Sequence, residues 1–298
     1  MTTHPQFANE VSALLAQRPS RPTWEKVCAV LDRTPAEELD AALKAIDAGL
    51  ATWPDDLNDG SMWPLPPRQA STSWAKKRIA AGKPAPDAWS AITFLQLHDH
   101  RFGKKGSAPL FANPALATLT HLYLAQCGLG PAGLQHLLDS PHTGQLTHLV
   151  LGGNGLGEGC AAKLLPHALG QQLHMLDIGR NQLGAQDLDA LLTTPMPALR
   201  ILLFDYTDLP KDQLARVLHA DTLPALQALT LGTHGSDLDL DLARSAEGHP
   251  HIKRALWHGW LRRRDARQLK ELAAQRALPN TSKLNRLGLI AALLPLDP

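Results

Sequence analysis

This sequence of 298 residues has little that points to disulfide bonding, membrane insertion or a strongly charged partner. Its three cysteines, Cys28, Cys127 and Cys160, form an odd, sparse set with no CxxC pair. That argues against a disulfide framework or a thiolate zinc site and suits a reducing compartment. Aromatic residues make up 5% and charged residues 19%, and 29 Lys plus Arg nearly cancel 28 Asp plus Glu. A uniformly basic protein and an acidic disordered chain are thereby excluded. No apolar run approaches the ~18 residues of a spanning helix, so no membrane partner is expected. The opening MTTHPQFANE has neither the charged nor the apolar region of an export signal, so the expected location is cytoplasmic. What is present is 44% apolar residues, enough for one large or two ordinary cores.

The apolar residues recur with a period. ITFLQLHDHRFG from Ile92, LTHLYLAQCGLG from Leu119, LTHLVLGGNGLG from Leu146, LHMLDIGRNQLG from Leu173, LRILLFDYTDLP from Leu199 and LQALTLGTHGSD from Leu226 start 26 or 27 residues apart. The first five match L-x-x-L-x-L-x-x-(N/C/T/H)-x-(L/F) at every apolar position, and the sixth loses its last one at Ser236. The fourth and sixth positions, Leu122 and Leu124 for example, alternate with variable residues, which predicts a strand with one buried face. Following stretches such as GLQHLLDS and GCAAKLLPHAL place apolar residues at helical spacing and predict a helix. One strand and one helix cannot bury an apolar face alone, so the units are expected to stack.

Six consecutive matches make the segment from Ile92 to Pro250 resemble the leucine-rich repeat family, in the long subtype typified by ribonuclease inhibitors. The resemblance implies an α/β solenoid of about six strand-helix repeats, with a parallel concave sheet, convex helices and helical N- and C-terminal flanks. It also implies that Cys127, Asn154 and Asn181, at the turn from strand to helix, hydrogen-bond neighbouring backbone. Cys127 then reads as structural and Cys160, between small apolar neighbours, as core packing.

On a concave sheet the third, fifth, seventh and eighth positions face a bound partner. Those columns contain Phe94, Gln96, His98, His121, Tyr123, His148, Val150, Met175, Asp177, Arg180, Ile201, Leu203, Asp205 and Tyr206. An unoccupied solvent-facing sheet is expected to be rich in Thr, Ser, Lys and Glu. The apolar members Phe94, Tyr123, Val150, Met175, Ile201 and Leu203 therefore predict an interface, or else a face covered by another segment of the chain or by a second copy. His121 and His148 share a column, yet no compact ligand motif accompanies them, and neither a metal nor a cofactor is assigned.

Four regions follow: a helical cap or small domain over 1–53, a Pro/Trp-rich connector over 54–90, the repeats over 91–250 and a basic helical segment over 251–298. In the first, Thr34-Pro35-Ala36-Glu37 predicts a capping box with proline at the first helical position. In the connector, PLPP permits a polyproline reading, whereas Trp53, Trp63, Trp74 and Trp89 favour docking on the first repeat, and SWAKKRIAA predicts a short helix over Ser73–Ala81. The last region holds ten bases against three acids, while 91–250 holds nine against fourteen, so the near-neutral total is a cancellation. Its pattern of Leu269, Leu272, Ala273, Leu278, Lys283, Leu284, Leu287, Ile290 and Leu293 reads as helix, extended link, helix. It resembles the SAP and Rho N-terminal class of helix-extension-helix motifs, which implies phosphate contacts from Arg262, Arg263, Arg264, Arg267, Lys270, Lys283 and Arg286. The alternative is a C-terminal cap with a solvated basic face.

No nucleophile elbow, phosphate loop, dinucleotide fingerprint or paired-acid motif is present, and GGNGLGEG belongs to the repeat. Asp237, Asp239 and Asp241 lack the spacing and the glycine of a calcium loop. The expected function is a non-catalytic scaffold holding another protein on the concave face, of inhibitor, immunity or adaptor type. The second reading is a nucleic-acid-associated adaptor that binds DNA or RNA through the C-terminal segment.

Overall fold

The computed structural model describes residues 6–54, 57, 65–70, 78–102, 106–233, 236–246 and 248–298. Trp63, Pro64, Trp74 and most of the helix expected over Ser73–Ala81 lie outside them. The protein is α/β, with six parallel strands in one sheet ordered as they occur in the chain: β1 (Phe94–Gln96), β2 (His121–Tyr123), β3 (His148–Val150), β4 (Met175–Asp177), β5 (Ile201–Leu203) and β6 (Ala228–Thr230). Every strand occupies the third to fifth positions of one sequence unit. Equivalent positions pair: Phe94 with His121, His148 with Met175, Met175 with Ile201 and Ile201 with Ala228. The 26-residue spacing between Leu173 and Leu199 leaves that register intact, so the missing residue is absorbed between β4 and β5.

The chain divides into two compact units, Met1–Leu124 with Asp139–Leu146, and Ala125–Leu138 with Thr147–Pro298. In the first, α1 (Gln6–Leu15), α2 (Arg21–Leu31) and α3 (Ala36–Leu50) bury Val11, Leu15, Trp24, Val27, Ala42 and Ile46. Helices α1 and α3 cross closely at Gly49, where a Cβ would lie 2.6 Å from Leu15 Cδ1. The capping box expected at Thr34 is not formed. Pro35 is itself the N-cap of α3 and no side chain caps it, while the Thr34 hydroxyl donates back to the Val30 carbonyl at 2.9 Å.

Three tryptophans tie this unit together through their indole N–H groups. Trp24 donates to the Gln69 carbonyl (2.7 Å), Trp53 to that of Leu15 (2.9 Å) and Trp89 to that of Ala115 (2.7 Å). Buried indole nitrogens need such partners, and each bond pins a loop to a helix or turn. Gln69 forms a parallel bridge to Phe94, with Ala70 N–H donating to the Phe94 carbonyl at 2.8 Å and Phe94 N–H to the Arg68 carbonyl at 3.1 Å. Connector residues therefore cover the outer edge of β1, which would otherwise present unpaired backbone.

In the second unit the fourth-position leucines, Leu149, Leu176, Leu202 and Leu229, and the sixth-position Leu151, Ile178, Phe204 and Leu231 are all buried. Asparagines join consecutive repeats. Asn154 Oδ1 accepts from the N–H groups of Cys127 (2.9 Å) and Leu129 (3.3 Å), and Asn181 Oδ1 accepts from those of Asn154 (2.8 Å) and Leu156 (3.3 Å). Asn181 Nδ2 donates to the carbonyls of Leu151, Ile178 and Gly179. Buried turn amides are satisfied by a side chain one repeat away, which is why the residue recurs at that position. Asp187 plays a similar part for helices: its carboxylate accepts from the N–H groups of Gly159, Ala161 and Gly184.

The far edge of β6 is closed by the helix Pro250–Arg262. Gly259 lies against the strand so closely that a Cβ would sit 1.9 Å from the Leu229 carbonyl oxygen. The helices Ala266–Gln275 and Arg286–Leu293 follow, the first opened by a reciprocal capping box between Asp265 and Gln268. The link between them is turn-like rather than extended: Ala277 and Asn280 have positive φ and Thr281–Lys283 is a single 3-10 turn. Among the described residues no helix is long and apolar enough to cross a membrane.

Candidate functional site

The structure separates the face residues into a buried group and an accessible one. Phe94, Tyr123, Val150 and Met175 have no exposed surface, and Leu203, Asp177 and Asp205 are buried as well. An apolar stripe open to solvent, as expected from the columns, is therefore absent at these positions. In the first unit Phe94 packs edge-on against Tyr123, with ring centroids 4.7 Å apart, and against His121. Gln96 accepts from Gln69 Nε2 at 2.7 Å, and His98 is half-buried. His121 lines a cleft with Asp47, Leu50, Trp53 and Arg68. A signal for the burial was present: Ile201-Leu202-Leu203-Phe204 is a continuous apolar run, the pattern of a strand covered on both faces rather than one.

The accessible group in the second unit lies at the strand ends. At the C-terminal ends, Gln126, Arg180 and Tyr206, all at the eighth position, hold φ of 58°, 58° and 54°, with Gly153 at 69° between them. Asp99, in the first unit, holds the same position with φ 56°. Each turn is locked to the next repeat, Gln126 N–H donating to the Gly152 carbonyl (2.9 Å), Gly153 N–H to that of Gly179 (3.0 Å) and Arg180 N–H to that of Asp205 (3.0 Å). A left-handed backbone costs a non-glycine residue about 1–2 kcal/mol. Gln126 and Arg180 are nonetheless exposed and Tyr206 half-buried, with the Arg180 guanidinium 3.9 Å from the centre of the Tyr206 ring.

At the N-terminal ends of the strands, Thr147 Oγ1 and His148 Nδ1 lie 2.9 Å apart, and the His148 ring meets that of His174 edge-on at 6.1 Å. Burial, with His174 and Arg200 nearby, pushes the His148 pKa down to about 4, so the imidazole is neutral at ordinary pH. Ile201 is half-buried and Arg200 exposed beside them.

The seventh position holds a network that sequence reasoning missed. Arg263, expected at a phosphate, is buried. Its Nη1 donates to Asp239 at 2.9 Å and to the Gly232 carbonyl at 2.6 Å, and its Nη2 pairs with Asp205. Asp239 Oδ1 in turn accepts from the N–H groups of Leu231 (2.8 Å) and Gly232 (2.9 Å). In the repeats before it, the carbonyl equivalent to that of Gly232 accepts from a backbone N–H of the preceding turn. At the last repeat Arg263 donates to that carbonyl. Burial pushes the carboxyl pKa values of Asp205 and Asp239 up, against the opposing pull of Arg263, and the Asp239 charge adds to the rise at Asp205.

Two more of the expected phosphate contacts are internal. Arg264 donates to Asp237 at 2.9 Å and stacks on Trp260, which itself stacks on Trp257. Arg286 donates to the carbonyls of Arg264 (2.8 Å) and Arg262, placing a cation at the C-terminal end of the helix Pro250–Arg262. Arg262 is half-buried, and Arg267, Lys270 and Lys283 remain exposed, with Arg267 3.6 Å from Glu271. The acidic run disperses: Asp237 meets Trp260 and Arg264, Asp239 meets Arg263, and Asp241 meets Lys211.

All three cysteines are buried and none is in a disulfide. Burial and the Asp187 carboxylate push the Cys160 thiol up to about 12, the opposite of what a nucleophile needs. Among the described residues no three His, Cys, Asp or Glu side chains are grouped to hold a metal. No protein-family model matches the chain, and a comparison with curated proteins finds no match.

Proposed function

We propose that the chain is a leucine-rich repeat solenoid whose function is to hold another protein, without turnover, on the ends of its strands. The observation that supports this most is the eighth-position row. One backbone geometry, held at Gln126 and Arg180 by the same inter-repeat hydrogen bond, presents unrelated side chains, Gln126, Arg180 and Tyr206, to solvent. Constant geometry with variable chemistry is what a recognition surface requires, and backbone strain retained where the side chain adds nothing to the core points the same way. His148, His174 and Arg200 extend the surface at the opposite strand ends. Asparagine rungs and one strand per 26 or 27 residues support the repeat reading. The buried thiols, none in a disulfide, suit the reducing, cytoplasmic setting that goes with it.

The test is affinity purification from the native host, followed by mass spectrometry, of the parent chain beside Arg180→Ala with Tyr206→Ala, and beside a Lys163→Ala control. Loss of a set of captured proteins in the double variant alone, with unchanged thermal unfolding, is the expected result. Identical capture by all three proteins removes the eighth-position row as the site. Changing Tyr123, Met175 and Leu203 is no test of binding, since all three are buried and their loss opens the core.

A further inference from the structure

His219 and His249 come from different elements, the 3-10 turn Ala215–His219 and the residue preceding the helix Pro250–Arg262. Their side chains nevertheless converge, with His219 Nδ1 and His249 Nε2 3.0 Å apart and the rings nearly perpendicular at 86°. His219 is exposed and His249 half-buried, and neither ring belongs to the strand-end surface described above.

We propose that this pair is a chelating site for a late first-row divalent metal ion, Ni(II) or Cu(II), with water completing the coordination. The argument is geometric. Two imidazole nitrogens that each bind one ion at about 2.0–2.1 Å stand about 3 Å apart, and Ni(II) and Cu(II) stand high in the affinity order for nitrogen ligands. At 3.0 Å the two nitrogens share a hydrogen bond, so an ion that displaces the shared proton finds both lone pairs within reach of one point. Each ring has then to turn its lone pair toward the common point, and neither the exposed His219 nor the half-buried His249 is enclosed by the core. Bound there, the ion would cross-link the last repeat to the helix that closes β6, so binding should be linked to folding.

The experiment uses the full chain without a histidine tag, because the sequence has 14 histidines and background binding has to be separated from this site. Titration calorimetry with nickel chloride should show a saturable site in the parent and in His142→Gln, weakened at least tenfold in His219→Gln and in His249→Gln. Nickel should raise the unfolding temperature of the parent but of neither pair variant, and the copper(II) form should show coupling to two nitrogens in its electron paramagnetic resonance spectrum. All four proteins should unfold at similar temperatures without metal, since none of the substituted residues is buried in the core. Equal affinity in parent and pair variants, equal weakening in His142→Gln, or no saturable nickel binding overturns the assignment.

Discussion

Replacing Arg263 by alanine separates the two readings of the basic C-terminal segment. The guanidinium side chain is 5% exposed, and it lies between Asp239, whose side chain is 1% exposed, and Asp205 at 11%. Arg263→Ala leaves both carboxylates buried without the guanidinium that pairs with them and strips the Gly232 carbonyl of a donor. Removing one partner of a buried pair costs about 3–5 kcal/mol, and the lost backbone bond adds about 1 kcal/mol. Against a typical total of about 5–15 kcal/mol this is a large fraction of the protein's stability.

The cost also depends on pH in a stated direction. Without the arginine the two folded-state carboxyl pKa values, already raised by burial, rise further. A carboxyl raised on folding contributes stability below its unfolded pKa and loses it as pH rises through the folded value. Urea unfolding should therefore show a larger loss at pH 8 than at pH 5. Asp205→Asn with Asp239→Asn should recover most of the loss in an Arg263→Met background, because asparagine keeps an acceptor for Leu231 and Gly232 while removing the buried charge. A loss under about 1 kcal/mol, or one independent of pH, would refute the argument and favour a phosphate contact, for which stability is untouched and only nucleic-acid affinity falls.

Three further outcomes can be checked. Gly259→Ala brings a methyl group to 1.9 Å from the Leu229 oxygen, so the helix Pro250–Arg262 has to move off β6; limited proteolysis should cut the variant between residues 245 and 298 much faster than the parent, and equal rates would contradict the close approach. His148 is held near 4, below its ordinary 6.5, so its neutral ring contributes stability above pH 6.5 that is lost as pH falls toward 4. At about 1.4 kcal/mol per pKa unit this amounts to up to about 3 kcal/mol, and His148→Gln should flatten that part of the pH profile; an unchanged acid limb speaks against it. Cys160, with its thiol near 12, should resist a thiol-labelling reagent at pH 8 until denaturant is added, and rapid labelling of the native protein would show the burial to be wrong.

The repeat positions were legible because their cause is local and periodic. Leucines at the fourth and sixth places alternate in a strand, and asparagine at the ninth reaches backbone one repeat away, so both appear as columns in an alignment of the chain with itself. The left-handed eighth position was legible only at Gly153, since Gln126, Arg180 and Tyr206 tolerate the same φ without announcing it. Arg263 was misread for a different reason. A run of three arginines looks alike whether solvated or buried, and only its approach to Asp205 and Asp239, distant in sequence, distinguishes the two. The capping box failed because one residue of offset put Pro35, not Thr34, at the helix start.

The amino-acid order alone determined that this is an α/β chain with a strand in each unit of 26 or 27 residues, because side-chain period and turn chemistry act over a few residues. The folded chain decided which apolar residues became surface and which became core, and which cations were left for a partner. Burial and ion pairing depend on what lies opposite in space. At Arg263 what lies opposite, Asp205 and Asp239, removed the side chain from the surface it had been expected to form, and Met175 is buried as well.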